Sequence, residues 1–378
     1  MSRPERGPVG VTESVMLAAG GTGGHLFPAF ALAEELARRG IAVDLATDER
    51  GDRYGTDFPA RRIHAIPSAT LAGRSPLAAA RTGFTLARGV IAALRLMTVV
   101  KPSVVVGFGG YPTFPPLIAA RLRRIPTVLH EQNAVLGRAN RMLAKHVSAI
   151  ATSFEDTRLL DGALQAKARL TGNPVRQVVI DRSAQSYRPA EPTGVFRLVV
   201  FGGSQGARYF SDVVPPALAR LAPGERARLQ VVQQCREEDL ERVRTAYGAA
   251  GIAATLAPFF RDLPDHMAAA HLVMGRAGAS SVAELAVLGR PSILVPLPHA
   301  LDNDQLRNAT SLAQSGACWC LEQKDLTAER LSAKFAELMA QPSTLAAAAA
   351  AASRRGRPDA VARLADLVVA VMHAKPFN

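Results

Sequence analysis

Short apolar runs alternate with helix-period segments through the first half of the chain, and this alternation predicts the fold class. The runs typical of buried strands are VMLAA (15–19), IAVDLAT (41–47), SVVVGF (103–108) and PTVLHE (126–131). Helical patterns occur at 26–39, 76–97, 115–123 and 136–145. Strands that alternate with helices form parallel sheets, because a parallel neighbour requires a crossover connection. We therefore expect an α/β fold in which helices cover a parallel sheet.

The same pattern restarts in the second half. RLVVFGGSQGARYFSDVVPPAL (197–218) again places an apolar strand, two glycines and a helix in succession. DRSAQSYRPAEPTGV (181–195) is polar, contains proline and lacks periodicity, which is typical of a linker. We expect two Rossmann-like doubly wound domains at 1–176 and 196–357, a linker at 177–195 and a helical segment at 358–378. Ligands of such sheets bind at the carboxyl ends of the strands.

Three glycine loops lie where a predicted strand meets a predicted helix, at Gly20–Gly24, Gly109–Gly110 and Gly202–Gly206. Glycine lets a ligand approach the backbone closely, and the N-terminus of the following helix favours an anion. None of the loops fits a dinucleotide fingerprint or a P-loop. A single loop of this kind can be only a tight turn, but three of them favour sites for two diphosphate-sized ligands.

Two side chains at predicted helix starts are candidates for chemistry. His25 either stabilises its loop by hydrogen bonding or acts as a base, since a positive helix end disfavours imidazolium. Glu284 either accepts the hydroxyls of a ribose or lies on the surface, where the helix dipole favours it. Asp302 and Asp304 form a DxD triplet, which alone is weak support for a metal site. We expect no metal and no cofactor.

Charge changes the picture for the first half only. The net charge is +13, and the window from Arg61 to Lys145 holds thirteen Lys or Arg against one acid, Glu131. Such an excess indicates nucleic acid or an anionic membrane as a partner. Three scattered cysteines form no metal or disulfide pattern and indicate a reducing compartment. The sequence predicts no signal peptide and, lacking 18 consecutive apolar residues, no membrane span.

One predicted helix, within 74–97, offers a route to a membrane surface. Its arginines recur every seven residues and so share one stripe; they are Arg74, Arg81, Arg88 and Arg95. Apolar companions are Leu77, Phe84, Ile91 and Leu94. A basic amphipathic helix lies on anionic lipid; alternatively, its apolar side packs on the sheet and its arginines are merely solvated. Nucleic acid is disfavoured, because few aromatic residues accompany the charges.

Six segments in this order resemble one family: GGTGGHLFPA, GGYPTFPP, HEQNAVLGRANR, TGNPVR, FGGSQGAR and RAGASSVAEL. It is the MurG family of UDP-N-acetylglucosamine-dependent transferases, within glycosyltransferase family 28. The resemblance spans about residues 15–310. It implies the GT-B architecture, in which two Rossmann-like domains face each other across a cleft and a last helix, near 358–374, crosses back to the first domain.

The resemblance also implies roles for individual residues. The donor sugar nucleotide is expected to contact Thr22, Gly23, Gly24, Asn133, Arg176, Ser204, Phe260, Ala279, Ser280, Ser281, Val282, Ala283, Glu284 and Gln305. The acceptor diphosphate is expected near Gly20, Gly21, Gly109, Gly110 and Tyr111, with His25 as the catalytic base. Phe260 stands where many relatives have isoleucine, and Asp304 where some have a second glutamine.

The activity that the resemblance implies is inverting transfer of N-acetylglucosamine from UDP-GlcNAc to undecaprenyl-diphosphate-MurNAc-pentapeptide. It implies a peripheral enzyme on the cytoplasmic side of the cell membrane, with cell-wall synthesis and division proteins as further partners. Two alternatives stay open at this point. One is a GT-B transferase for another lipid acceptor, and the other is a non-catalytic nucleotide-sugar-binding membrane subunit.

Overall fold

The computed structural model describes residues 13–20, 23–48, 58–69, 76–298 and 300–374. Within those ranges the side chains of residues 23, 76–79, 204–207 and 301 are not described. The chain divides into two compact units. The first takes its described residues from Met1–Gln132, Leu136–Gly172 and Val361–Asn378, and the second comprises Asn133–Val135 and Asn173–Ala360.

The first unit contains a seven-stranded sheet in which every neighbouring pair is parallel. Its strands are β1 (Ser14–Ala18), β2 (Ala42–Thr47), β3 (Arg62–Ala65), β4 (Val104–Gly107), β5 (Thr127–Glu131), β6 (Ala149–Thr152) and β7 (Ala168–Leu170). Their order is β3-β2-β1-β4-β5-β6-β7. The chain therefore reverses direction across the sheet between β1 and β4, which is the position where doubly wound folds bind ligands.

Helices cover both faces of this sheet. They are α1 (Gly23–Arg38), α2 (Pro76–Val100), α3 (Phe114–Leu122), α4 (Arg138–Ala144) and α14 (Ala360–Met372), with 3-10 turns at Tyr111–Thr113 and Gly162–Lys167. Alternate residues of β1 pack into two separate hydrophobic cores, one on each face of the sheet. Val15 and Leu17 pack with α1 and α14, whereas Met16 packs with α2, α3 and α4. This alternation follows from the period of two along a strand.

The second unit contains a six-stranded parallel sheet of order β10-β9-β8-β11-β12-β13. Its strands are β8 (Phe196–Phe201), β9 (Leu229–Gln234), β10 (Ala253–Ala257), β11 (Leu272–Gly275), β12 (Ser292–Leu294) and β13 (Cys318–Cys320). Its helices are α5 (Gln177–Ser183), α6 (Gly203–Ala219), α7 (Pro223–Arg226), α8 (Leu240–Ala249), α9 (Leu263–Ala269), α10 (Ala279–Leu288), α11 (Asp304–Gln314), α12 (Ala328–Ala340) and α13 (Pro342–Arg355). Short 3-10 turns lie at Glu237–Asp239, Leu301–Asn303 and Gln323–Asp325. The sheet reverses between β8 and β11.

The expected linker at 177–195 differs from the structure. This segment begins with α5, and the second unit already resumes at Asn173. Tyr187 donates its hydroxyl to the carbonyl of His271, 3.0 Å away, so part of the segment is tied to the second unit. The polar, proline-containing sequence predicted a linker and missed the helix, because a short surface helix needs few apolar positions. At the other end of the chain, α14 buries Leu364 and Val368 in the core of the first unit.

Helix α2 also departs from the expectation that nothing is long and apolar enough to span a membrane. By length and composition, Ala80–Val100 meets that requirement with a mean hydropathy of 1.5, and 17% of the window is buried. A single such helix is weak support for a span, and this one carries Arg81, Arg88 and Arg95. The buried side of α2 is formed by Thr82, Gly89, Ala93 and Met97.

Candidate active site

The glycine loops lie at the reversal points of the two sheets. In the first unit, the loop after β1 leads into α1, and Gly109 and Gly110 follow β4 directly. Both glycines have positive φ, at 89° and 74°, which side chains of other residues rarely adopt. A Cβ on Gly109 would lie 3.3 Å from His25 Cε1, and one on Gly110 would lie 3.6 Å from His25 Nε2. The structure therefore brings His25 against the second glycine loop.

His25 is held as a neutral imidazole. It lies in the first turn of α1, its Nδ1 atom is buried, and the residue as a whole keeps partial exposure. Burial lowers the pKa of His25, and the nearby Gln132 side chain and Phe108 backbone offset this only in part. A neutral ring with one buried and one less buried edge is what a proton acceptor needs at neutral pH.

Buried polar side chains lie beneath the second glycine loop. Glu131 accepts hydrogen bonds from the backbone N–H of Gly137 at 2.9 Å and from Asn140 Nδ2 at 2.7 Å. His130 is fully buried, and burial lowers its pKa to about 4. A Cβ on Gly109 would lie 3.4 Å from the amide of Asn140. His130, Glu131 and Asn140 therefore form the buried layer next to the Gly109–Gly110 loop.

In the second unit, Arg176 and Glu284 form a two-point ion pair. Arg176 Nε donates to Glu284 Oε1 at 2.8 Å, and Nη2 donates to Oε2 at 3.1 Å. Arg176 precedes α5, and Glu284 lies in α10 with 8% of its surface exposed. The resemblance predicted roles in donor binding for both residues, and the structure brings them together.

The N-terminus of α10 presents the remaining residues of the predicted loop. Gly278 caps the helix in an extended conformation, and Ala279, Ser280, Ser281 and Ala283 are partly exposed, whereas Val282 is buried. Ser280 Oγ is buried with no hydrogen-bond partner within the part of the chain that the structure describes. The first N–H groups of a ten-residue helix attract anions.

Three further predicted residues lie in the second unit. Asn133 Oδ1 accepts from Asn308 Nδ2 at 3.0 Å. Gln305 Oε1 accepts from the backbone N–H of Leu297 at 3.0 Å, which fixes the side-chain amide next to the 3-10 turn. Phe260 is partly exposed and meets His266 edge-on, with ring centroids 5.4 Å apart.

Some predicted residues are outside the described structure. Thr22, Gly21 and Arg74 lie outside the described residues, and the side chain of Ser204, in the first turn of α6, is not described. Gly20, Gly23 and Gly24 flank the gap, and Tyr111 begins the 3-10 turn after Gly110. Among the described residues, no group of three or more His, Cys, Asp or Glu side chains is arranged to hold a metal ion.

Sequence reasoning missed two residues that organise these sites. Asn308 accepts from the N–H of Ala134 at 2.8 Å and donates to the carbonyl of Ala277 at 3.1 Å, although it lies 174 residues from the first partner. Gln132 lies inside the quoted HEQN motif but was given no role. The available sequence signal for Gln132 was its position between Glu131 and Asn133 in the HEQN segment. The sequence contains no comparable signal for Asn308.

The exposed side of α2 carries both charge and apolar surface. Arg81, Arg88 and Arg95 are exposed, as are Phe84 at 66% and Ile91 at 51%. The Arg88 guanidinium lies 5.9 Å from the centre of the Phe84 ring. The predicted companion Leu94 packs instead against the core, and nothing is described of the Leu77 side chain. Phe84 and Ile91 are therefore not core residues.

Two parallel-sheet α/β units, each with a glycine loop at its reversal point, are the architecture of the GT-B fold class. Residues 15–152 match the glycosyltransferase family 28 N-terminal domain, and residues 197–364 match its C-terminal domain. The chain belongs to glycosyltransferase family 28.

Similar proteins cover nearly the whole chain. A protein of Methylobacterium sp. (strain 4-46) is 57% identical over 356 residues, 94% of this chain and 96% of its own length. A protein of Chelativorans sp. (strain BNC1) is 53% identical, covering 95% of each chain. Both are named UDP-N-acetylglucosamine--N-acetylmuramyl-(pentapeptide) pyrophosphoryl-undecaprenol N-acetylglucosamine transferase.

Solved structures agree with this family assignment. The crystal structure of Acinetobacter baumannii MurG superposes with a TM-score of 0.79 at 30% identity, covering 94% of this chain and 99% of that one. The UDP-GlcNAc 2-epimerase from Neisseria meningitidis, bound to UDP-GlcNAc, gives a TM-score of 0.63 at 14% identity, covering 94% of this chain and 99% of the other. The second likeness concerns the fold alone.

Proposed function

We propose that this chain transfers N-acetylglucosamine from UDP-GlcNAc to the 4-hydroxyl of the muramyl residue of undecaprenyl-diphosphate-MurNAc-pentapeptide. The names of relatives at 50–57% identity support these substrates. The observation in this chain that carries the reaction type is neutral His25, held against the glycine loop at the reversal point of the first sheet. A hydroxyl nucleophile needs a proton acceptor of this kind.

The second unit binds the donor nucleotide in this proposal. Glu284 accepts the two ribose hydroxyls, since a carboxylate offers more acceptor sites than its two bonds from Arg176 occupy. Arg176 and the N-termini of α6 and α10 bind the diphosphate, and the family resemblance assigns Ser204 to the same group. Donors that are already oriented stabilise charge as it develops, without reorganising during the reaction.

The chemical step is an in-line displacement. The muramyl 4-oxygen attacks the anomeric carbon of GlcNAc and forms the new glycosidic bond, while the bond to the β-phosphate oxygen breaks. UDP leaves with that electron pair, and the hydroxyl proton passes to His25. Attack from the face opposite the leaving group inverts the anomeric configuration. The charge that develops on the departing diphosphate is stabilised by Arg176 and the helix ends.

The acceptor is a lipid, so the enzyme works at a bilayer surface in this proposal. The exposed side of α2 supports docking, because Arg81, Arg88 and Arg95 alternate with exposed Phe84 and Ile91. Each cation near an anionic leaflet contributes about 1 kcal/mol. We place the protein peripherally on the cytoplasmic side of the cell membrane, with cell-wall synthesis and division proteins as further partners.

The test is incubation of the purified chain with labelled UDP-GlcNAc and a short-chain analogue of the lipid acceptor. We expect a labelled disaccharide product with inverted anomeric configuration. Parallel reactions with diacylglycerol and with no acceptor separate the alternatives. A product on diacylglycerol alone would identify another lipid glycosyltransferase. Nucleotide-sugar binding with no product on either lipid would leave only the non-catalytic subunit.

A further inference from the structure

A cavity of about 680 Å³ opens in the second unit, at the edge of the sheet where β8 and β11 begin. Arg197 and His271, which lie at the start of those two strands, both line it. The glycine loop of this unit follows the other end of β8, and α10 follows the other end of β11. Four to six residues of strand, at about 3.3 Å each, therefore separate the cavity from the proposed donor site.

The lining of this cavity is positively charged. It holds Arg188, Arg197 and Arg290 and no Asp or Glu. Arg188 and Arg197 are exposed, and neither forms an ion pair within the part of the chain that the structure describes. Asp265, on the neighbouring helix α9, pairs with Arg182 and so does not neutralise the lining. A cleft lined by charges of one sign concentrates their field, and the field here favours an anion.

Arg290 carries a buried charge that is paired with no carboxylate among the described residues. The residue is 2% exposed. Its N–H groups donate to the backbone carbonyls of Gln185, Ala268, Leu288 and Gly289, at 2.5–3.3 Å. These bonds satisfy the donors but leave the positive charge without a counter-ion. Because a buried charge is costly unless an opposite charge accompanies it, an anion in the cavity would be stabilised.

His271 supplies a hydrogen-bond donor that has no acceptor among the described residues. The residue is 8% exposed, and its Nδ1 accepts from the backbone N–H of Arg197 at 2.8 Å. A backbone N–H only donates, so the neutral ring carries its proton on Nε2. Burial, and then Arg197, Arg228 and Arg290, lower the pKa of His271 to about 4, which keeps the ring neutral at pH 7. Because His271 lines the cavity, an acceptor bound there would satisfy this N–H group.

We propose that this cavity binds a small phosphate monoester or diphosphate with at least two negative charges, away from the proposed donor site. Arg188 and Arg197 pair with its phosphate oxygens, His271 Nε2 donates to one of them, and Arg290 contributes its charge. Guanidinium groups match phosphate geometry, and a dianion balances such a lining better than a single carboxylate does. The volume is that of a small-molecule pocket and leaves room for the organic group of an ester. The inference does not rest on the proposed function.

The test is titration of the full, ¹⁵N-histidine-labelled chain at neutral pH with inorganic pyrophosphate, inorganic phosphate and acetate. A His271→Asn variant assigns the His271 signals, and saturating UDP is present so that the proposed donor site is already filled. We expect the His271 ring signals to shift, with pyrophosphate binding most tightly and acetate most weakly. His271 signals that none of the three ions moves would overturn the inference, as would acetate that binds as tightly as pyrophosphate.

Arg197→Gln removes one exposed cation from the lining and keeps the backbone N–H that donates to His271. We expect pyrophosphate to bind roughly ten-fold more weakly, on the scale of one charge-assisted hydrogen bond. The matched control is Arg330→Gln, which makes the same charge change at an exposed site of α12, outside the lining. The control should bind pyrophosphate like the parent. Equal weakening in both variants would indicate net charge alone and overturn the site.

The outcomes separate this site from the proposed function. If UDP fails to bind, the donor assignment is contradicted, whereas the His271 signals still report on the cavity. Pyrophosphate that binds the parent without moving the His271 signals occupies another site, and that result also overturns the inference. Shifted His271 signals, together with weaker binding in Arg197→Gln but not in Arg330→Gln, support it.

Discussion

Arg176 donates hydrogen bonds to both carboxylate oxygens of Glu284, at 2.8 and 3.1 Å, although the two residues lie 108 positions apart in sequence. A guanidinium matches a carboxylate in this two-point geometry, which sets orientation as well as charge. The Glu284 carboxylate is therefore oriented by Arg176 before any nucleotide binds. In the proposed complex, it keeps remaining lone pairs for a ribose while Arg176 reaches a phosphate.

Glu284→Ala should raise KM for UDP-GlcNAc more than it lowers kcat. The lost contacts to a charged acceptor are worth about 1.5–3 kcal/mol. Steady-state kinetics over a range of UDP-GlcNAc checks this. The control is Glu329→Ala, since Glu329 pairs with Arg220 at an exposed site of the same unit. An unaltered KM in Glu284→Ala would remove this residue from the donor site.

His25→Ala should lower kcat by about 10² to 10⁴, the usual contribution of a general base. KM for UDP-GlcNAc should change little, and the melting temperature should stay near that of the parent. A purely structural His25 gives the opposite result: a lower melting temperature, weaker binding of both substrates and a smaller loss in kcat. Kinetics and calorimetry on one preparation distinguish the two.

Replacing Arg81, Arg88 and Arg95 together by glutamine should weaken binding to anionic vesicles and flatten its dependence on salt. The three residues lie on the exposed side of α2, and each contributes about 1 kcal/mol near an anionic surface. Flotation with vesicles at several salt concentrations measures this. A second triple variant, at exposed Arg220, Arg244 and Arg330, makes the same charge change in the second unit. Equal losses in both variants would indicate net charge alone.

Two glycines of α2 should respond in opposite directions to alanine. A Cβ on Gly89 would lie 2.1 Å from the carbonyl of Pro67 and 3.0 Å from Pro115 Cγ, whereas one on Gly83 meets nothing within 4 Å. Gly89→Ala should therefore destabilise the chain by about 1–3 kcal/mol through overpacking. Gly83→Ala should stabilise the helix by about 1 kcal/mol. Calorimetry tests both, and similar shifts would contradict the close docking of α2.

His271 should make the second unit acid-sensitive. Burial, and then Arg197, Arg228 and Arg290, lower the pKa of His271 to about 4. The unfolded chain therefore takes up the proton first as pH falls. The stability that neutral His271 contributes is fully present above about pH 6.5 and is lost as the pH falls toward 4. His271→Asn, which can still accept from the N–H of Arg197, should lose less stability over that range.

Trp319 is the single tryptophan of the chain and lies in β13 of the second unit, so its fluorescence reports unfolding of that unit. Urea titrations at pH 7 and pH 5 on the parent and on His271→Asn provide the comparison. Equal acid sensitivity in the two proteins would show that folding does not lower the pKa of His271.

The periodicity of the chain predicted most of its secondary structure, because periodicity is a local property. The helix predicted at 76–97 spans Pro76–Val100, and the one predicted at 115–123 spans Phe114–Leu122. The restart at 197–218 likewise corresponds to β8 and α6. Six short motifs were enough to indicate the family, since their order and content are rarely combined otherwise.

The sequence by itself determined the fold class, the two glycine-loop sheets and the family, because each follows from neighbours along the chain. Only the tertiary structure decided that Arg176 meets Glu284, that Asn308 contacts Asn133 and that Gln132 donates to the carbonyl of Phe108. It also decided that Phe84 and Ile91 lie outside the core. These contacts depend on the order of strands across a sheet and on which side of a helix meets it, and residues far apart in sequence carry no local signal of either.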